Sequence, residues 1–327
     1  MAPDGLVEAL QVGRHDDPSR DEPKPGQQPD SCRDEAGDGA DTHGGRHKAG
    51  EPVACPAMDA RLFLGMNPVD DQQLHWDLDV LPGLSTPGEF LFGGCGLAAG
   101  IVAMEGASGR PTIWAAAQYL SFAPTGSHLD LDVVLAAAGH RTTQARVVGR
   151  VGDKEILTVN AALGEHSGAL GGVWAEPPEV DRPENCPERG AFGGTLAETI
   201  FDKVDTRQAM GRSFEEMMTG EPLQGAANSA MWARVPGHLG PEAAALAVFG
   251  DFVAGGVSQV VGRPTHGSSL DNTLRVVELS PTEWVLCDIH IYALSGGYAQ
   301  GHSFLWSEDG RLLATASQSM SVRPVSE

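Results

Sequence analysis

The sequence predicts an α+β fold built from two copies of one unit, each an antiparallel sheet wrapped around a central helix. Three observations carry this. A long, almost wholly apolar run with helix-start signals occurs twice, as FLFGGCGLAAGIVAMEG from Phe90 and as AAALAVFGDFVAGGVSQVVG from Ala243. Each run precedes a series of strand-like stretches. The two series share one spacing, since 309 minus 153 and 251 minus 95 both equal 156, so one helix-then-sheet unit is duplicated.

Along the chain, residues 1–57 are rich in Asp, Gly, Pro, Arg and His and nearly free of aromatic and β-branched side chains. They bury too little apolar surface to offset ordering entropy and read as a disordered tail. The first unit spans 58–165. Its helix is predicted to start at Thr86 as N-cap, with Pro87 in the first helical position and Glu89 closing a capping box. Strands follow from Thr112, Leu129, Thr142 and Glu155, the last two joined by a turn at Gly152-Asp153-Lys154. Residues 166–228, including AEPPEVDRPENCPERG from Ala175, read as a linker. The second unit, 229–327, starts its helix at Gly240-Pro241-Glu242. Its strands follow from Ser268, Trp284, Gly301 and Arg311, with a hairpin turn at Ser307–Gly310. A helix apolar on nearly every side must be covered all round, which a sheet curled about it achieves.

Charge narrows the function. With 44 acidic and 22 basic side chains the formal net charge is −22, which repels a nucleic-acid backbone. Five scattered cysteines, never in a CxxC pair, signal neither a disulfide framework nor a zinc site, and fit a cytoplasmic protein. The N-terminus lacks the apolar core of a signal peptide, and no long apolar run is free of glycine breaks, so a soluble protein without a membrane partner is expected. GGCGLAAG from Gly93 contains a GxGxxA pattern, but no acidic residue ends a following strand as a dinucleotide site requires. GxSxG is absent, and no His and carboxylate cluster has metal-ligand spacing. Neither cofactor nor metal is expected.

The duplication singles out polar residues that only the second copy has. At the offset of 156, Asp251 faces Cys95, Gln318 faces Ala162, and Ser269 falls against Ile113 or, with a small shift, Ala115. Asp251 is the only charged residue between Glu242 and Arg263. Either it is buried, with hydrogen-bond partners or a raised pKa, or it lies on a solvent stripe or caps a kink near Gly250. Gln318 shares a strand face with Ala314, Ala316 and Met320, and so points at the helix, as a site residue or as a satisfied core amide. Ser269 shares a face with Asp271 by the same two-residue period.

These residues carry a resemblance. GSSLDNTLRVVELSPTEWVLCDIHIYAL and DGRLLATASQSMSVR resemble the C-terminal half of the acyl-CoA thioesterase II family, double-hotdog enzymes. FLFGGCGLAAG, QYLSFAP and GHRTTQARVVGRVGDKEILTVNAAL resemble its N-terminal hotdog, over roughly Met58 to Arg323 in all. The resemblance implies a tandem hotdog with two central helices, hydrolysis of acyl-CoA, and a homo-oligomer. It also implies that Asp251, Ser269 and Gln318 hold the attacking water, with Asp251 as general base. The chain departs from the family in having Asp271-Asn272 where Asp-His is frequent, and Ser319 where an acidic residue follows the Gln. A hotdog hydratase or dehydratase, and a non-catalytic acyl-thioester binding protein, are the alternatives.

Overall fold

The computed structural model describes residues 59–165, 170–188, 198–213, 216, 227–237, 240 and 242–324. These belong to one compact unit, Ala54–Glu327. The predicted tail, 1–57, and much of the predicted linker lie outside the described residues.

The helices are α1 (Ala60–Leu64), α2 (Gly93–Ser108), α3 (Ile200–Lys203), α4 (Ala243–Gly250) and α5 (Val253–Val261). The strands are β1 (Asn67–Pro68), β2 (His75–Asp79), β3 (Thr112–Tyr119), β4 (His128–Ala138), β5 (Thr142–Val151), β6 (Lys154–Gly164), β7 (Asp205–Met210), β8 (Asn228–Arg234), β9 (Thr265–Val276), β10 (Val285–Ser295), β11 (Tyr298–Ser307) and β12 (Leu312–Pro324). Among the described residues they make one antiparallel sheet in the order β1-β2-β4-β5-β6-β3-β9-β12-β11-β10-β8-β7. The order β2-β4-β5-β6-β3 is repeated by β8-β10-β11-β12-β9, and the two halves join where β3 pairs with β9, from Trp114↔Arg275 to Gln118↔Asp271.

Alternation sorts side chains to the two faces. Leu129, Leu131 and Val133 of β4, Leu157, Val159 and Ala161 of β6, and Ala314, Ala316 and Met320 of β12 face α2, α4 and α5, and together they form the main core. On the opposite face Trp232, Leu286 and Trp306 gather a smaller cluster with Trp284 and Cys186. Part of the stretch predicted as linker is therefore structural: Cys186 is buried in this cluster and β7 extends the sheet edge.

The predicted capping box at Thr86 does not form. Thr86 and Phe90 close a turn instead, through Thr86 N–H to Phe90 O at 2.8 Å and Glu89 N–H to Thr86 O at 3.0 Å, with Glu89 in the left-handed region at φ 57°. Pro87-Gly88 acts here as turn chemistry, and Phe92 is the N-cap of α2. The second apolar run is not one helix. It breaks after Gly250, where Asp251 (φ −82°, ψ −3°) caps α4 and Phe252 precedes α5. By length and hydropathy Ala243–Val261 could cross a membrane, but 78% of that window is buried inside the fold.

Candidate active site

The helix break places Asp251 in the interior, where only 4% of it is exposed, and α4 packs on α2. A Cβ on Gly94 would lie 2.9 Å from the Val248 Cα and 2.9 Å from the Asp251 Cβ, so this approach requires a glycine. The Gly94 N–H, in the first turn of α2 and without an intrahelical acceptor, donates to Asp251 Oδ2 at 2.8 Å. Asn272 Nδ2 donates to Asp251 Oδ1 at 3.0 Å, and Gln318 Nε2 donates to the same oxygen. Gln318 Nε2 also reaches Ser269 Oγ at 2.7 Å. The three residues predicted from sequence thus meet at one point, and of the readings left open for Asp251 the buried one and the kink-capping one hold together.

The electrostatics follow from burial. Loss of solvent pushes the Asp251 carboxyl up to about 7, against the stabilising hydrogen bonds from Gly94, Asn272 and Gln318. Burial, and then the neighbouring Asp251 charge, also raise the Cys95 thiol and the Tyr119 phenol. Tyr119 donates to Gly93 O at 2.7 Å and so pins the start of α2. Two acceptors of the site, Asn272 Oδ1 and Gln318 Oε1, are buried and have no hydrogen-bond partner among the described residues. A carboxyl that titrates near neutrality can accept a proton from a bound water, and the free amide oxygens and the Ser269 hydroxyl can orient one.

Ser269 reaches the site through a device not readable from period two. Ser319 pairs with Asp271 but Met320 with Ser269, so Leu270 bulges out of β9 and the faces exchange across it. Ser269 therefore joins Asn272 and Gln318 on the inner face, not Asp271.

A model of the acyl-CoA thioesterase C-terminal domain matches residues 183–322. A crystal structure of a Novosphingobium aromaticivorans protein assigned as a thioesterase is 32% identical, covering 78% of this chain and 98% of its own, with TM-score 0.69. The chain belongs to the acyl-CoA thioesterase II family. An acyl-CoA thioesterase II from Mycobacterium marinum (18% identity, 82% of this chain and 99% of that one, TM-score 0.64) and a hot dog fold protein from Alicyclobacillus acidocaldarius (18%, 77% and 94%, TM-score 0.65) share the fold. Among curated proteins none matches. The large antiparallel sheet with few helices is thus the hotdog fold of the acyl-CoA thioesterase II family.

The two halves of this thioesterase-family chain correct the single offset of 156. Both helical runs end on a left-handed glycine, Gly109 and Gly262, which lie 153 apart (262 minus 109). Both inner strands carry a bulge, at Ile113 and Leu270, 157 apart (270 minus 113). On the strands Gln318 then corresponds to Ala161, not Ala162, and Ser269 to Thr112, while Asp251 lies at the helix break, which α2 lacks. Asn272, which the sequence reading left out of the site, corresponds to Ala115. Ala115 and Ala161 are fully packed in the core, so the first half retains no carboxamide at these places. Cys95 instead adjoins the Asp251 carboxylate.

Proposed function

We propose that the chain is a thioester hydrolase that cleaves acyl-CoA to a free acid and CoA, using a water activated by Asp251. The observation that carries this reading is the buried Asp251 carboxyl, titrating near 7 and hydrogen-bonded by Gln318 and Asn272, with Ser269 beside them. We also read the chain as a tandem hotdog, 58–165 and 229–327, with α2 as one central helix and α4–α5 as the other.

The chemistry follows from the hydrogen bonds. Asp251 Oδ1 is occupied by the two amides, whereas among the described residues Oδ2 accepts only the Gly94 N–H and keeps a lone pair for a water proton. Ser269 Oγ accepts from Gln318, which leaves its own proton to donate to that water or to the substrate. The water oxygen attacks the thioester carbonyl carbon and Asp251 takes its proton. N–H groups of the first turn of α2 are the proposed donors to the resulting oxyanion. Collapse breaks the C–S bond, and protonated Asp251 returns the proton to the thiolate. A thiol of pKa about 8.5 leaves readily, so orientation and proton transfer are the main demands. Among the described residues no histidine is a partner of Asp251, which favours hydrolysis over His-dependent hydration.

The test is incubation with an acyl-CoA panel and a thiol reagent. Wild-type protein releases thiol, and Asp251→Asn, folded by circular dichroism, loses about 100-fold or more in kcat. Near-normal turnover by that variant places the base elsewhere. A changed enoyl or hydroxyacyl group without thiol release makes the protein a hydratase.

A further inference from the structure

Beside Asp251 lies a titratable side chain, Tyr119, that the hydrolysis derived above does not use. It shares the inner face of β3 with Ala115 and Ala117, packs against the main core and turns its hydroxyl to the start of α2. At the strand spacing of 157 (276 minus 119) its counterpart is Val276, an apolar side chain packed on the core. Here, in reverse of Asn272 and Gln318, the first half carries the polar group and the second does not.

The Tyr119 hydroxyl donates to Gly93 O at 2.7 Å, and the Gly94 N–H donates to Asp251 Oδ2 at 2.8 Å. That carbonyl and that N–H are the two ends of one peptide unit. In a trans peptide they point in opposite directions, so the phenol and the carboxylate grip the unit from its two sides. A Cβ on Gly93 would lie 2.9 Å from Asp251 Oδ2 and 3.1 Å from Tyr119 Oη, so only glycine lets both groups close on it. A hydrogen bond accepted at the carbonyl polarises the peptide and makes its N–H a stronger donor. It also fixes the peptide plane, and with it the direction of the N–H groups of the first turn of α2. Burial, and then the charge of Asp251, hold the phenol above its ordinary range, so it stays a protonated donor where the carboxyl titrates.

We propose that Tyr119 is a positioning residue that holds Asp251 Oδ2 in its reacting geometry and favours the ionised carboxylate, acting through the Gly93–Gly94 peptide. This rests on the reading of Asp251 as the base, and it adds a side chain from the first half to a site whose other side chains come from the second.

The test follows the carboxyl itself, by NMR titration of the full chain carrying carbon-labelled aspartate, with Asp251→Asn to assign the signal, alongside kcat/KM for acyl-CoA against pH. In Tyr119→Phe, folded by circular dichroism, the ring stays and the donor goes. The Asp251 titration and the acid limb then both move alkaline by about half a pH unit, and kcat falls about tenfold while KM changes little. A fluorotyrosine placed at 119 is a stronger donor and moves both the other way, and it carries the test if the phenylalanine variant does not fold. An unmoved Asp251 titration in either folded variant overturns the proposal, even where the rate falls. If the titration moves as expected but wild-type protein hydrolyses no acyl-CoA, the role of Tyr119 stands and the hydrolase reading falls. If hydrolysis is robust and the titration stays put, only the role of Tyr119 falls.

Discussion

At the scale of single residues, what Asp251 does depends on which groups share its two oxygens. Asn272 is fully buried and donates to Oδ1, so it favours the ionised carboxylate and leaves Oδ2 as the proton acceptor. Removing that donor raises the Asp251 pKa further above 7. Activity that needs the carboxylate is lost as pH falls through the folded pKa, so wild-type kcat/KM has an acid limb near pH 7. We predict that Asn272→Ala moves this limb alkaline by about one pH unit and lowers kcat more than it alters KM. The measurement is the pH profile of a variant shown to be folded; an unmoved limb means that Asn272 only fills space. Asn272 was within reach of the sequence, since period two puts it on the face of Leu274 and Val276, the rule that brought out Gln318. What hid it was its place in the motif, where the family frequently has histidine.

At the scale of elements, two irregularities build the site. A continuous helix would carry Asp251 past its partners; the break after Gly250 ends α4 with the carboxylate turned toward α2. A regular β9 would aim Ser269 away from the core; the bulge at Leu270 turns it in. Strand positions and apolar faces follow from hydrophobic periodicity and were legible, whereas a break and a bulge depend on tertiary contacts that periodicity does not encode. The close crossing of α2 and α4 was likewise invisible until Gly94 was seen against Val248. Gly94→Ala forces the helices apart at backbone, not at a flexible side chain, and withdraws an N–H from Asp251 Oδ2. We predict a loss of about 1–3 kcal/mol in urea unfolding together with a fall in kcat. A variant as stable and as active as wild type would mean that the helices give way without disturbing the carboxylate.

At the scale of the whole molecule, the halves repeat each other in strand order but not in chemistry. Ala115 and Ala161 pack the first half where the second buries Asn272 and Gln318, and the buried residues of α2 are all apolar or glycine, with no counterpart of Asp251. The second half therefore carries a charge-burial cost that the first does not, and this cost depends on pH. The folded Asp251 titrates near 7 against an ordinary value of 3.8, so the folded protein binds this proton more tightly than the unfolded chain. Its contribution to stability is full below about pH 4 and is lost as pH rises through 7, a change of order 4 kcal/mol by the linkage relation. Other groups titrate over the same range, and comparison with Asp251→Asn isolates this one. The amide costs a constant amount, since its Nδ2 would meet the Gly94 N–H, but it does not ionise. The Tm of the variant minus that of wild type should therefore rise from pH 5 to about pH 7 and level off by pH 8. A flat difference over that interval would mean that Asp251 is already ionised at pH 5 in the folded protein, and its low pKa would make it too weak a base for the proposed hydrolysis.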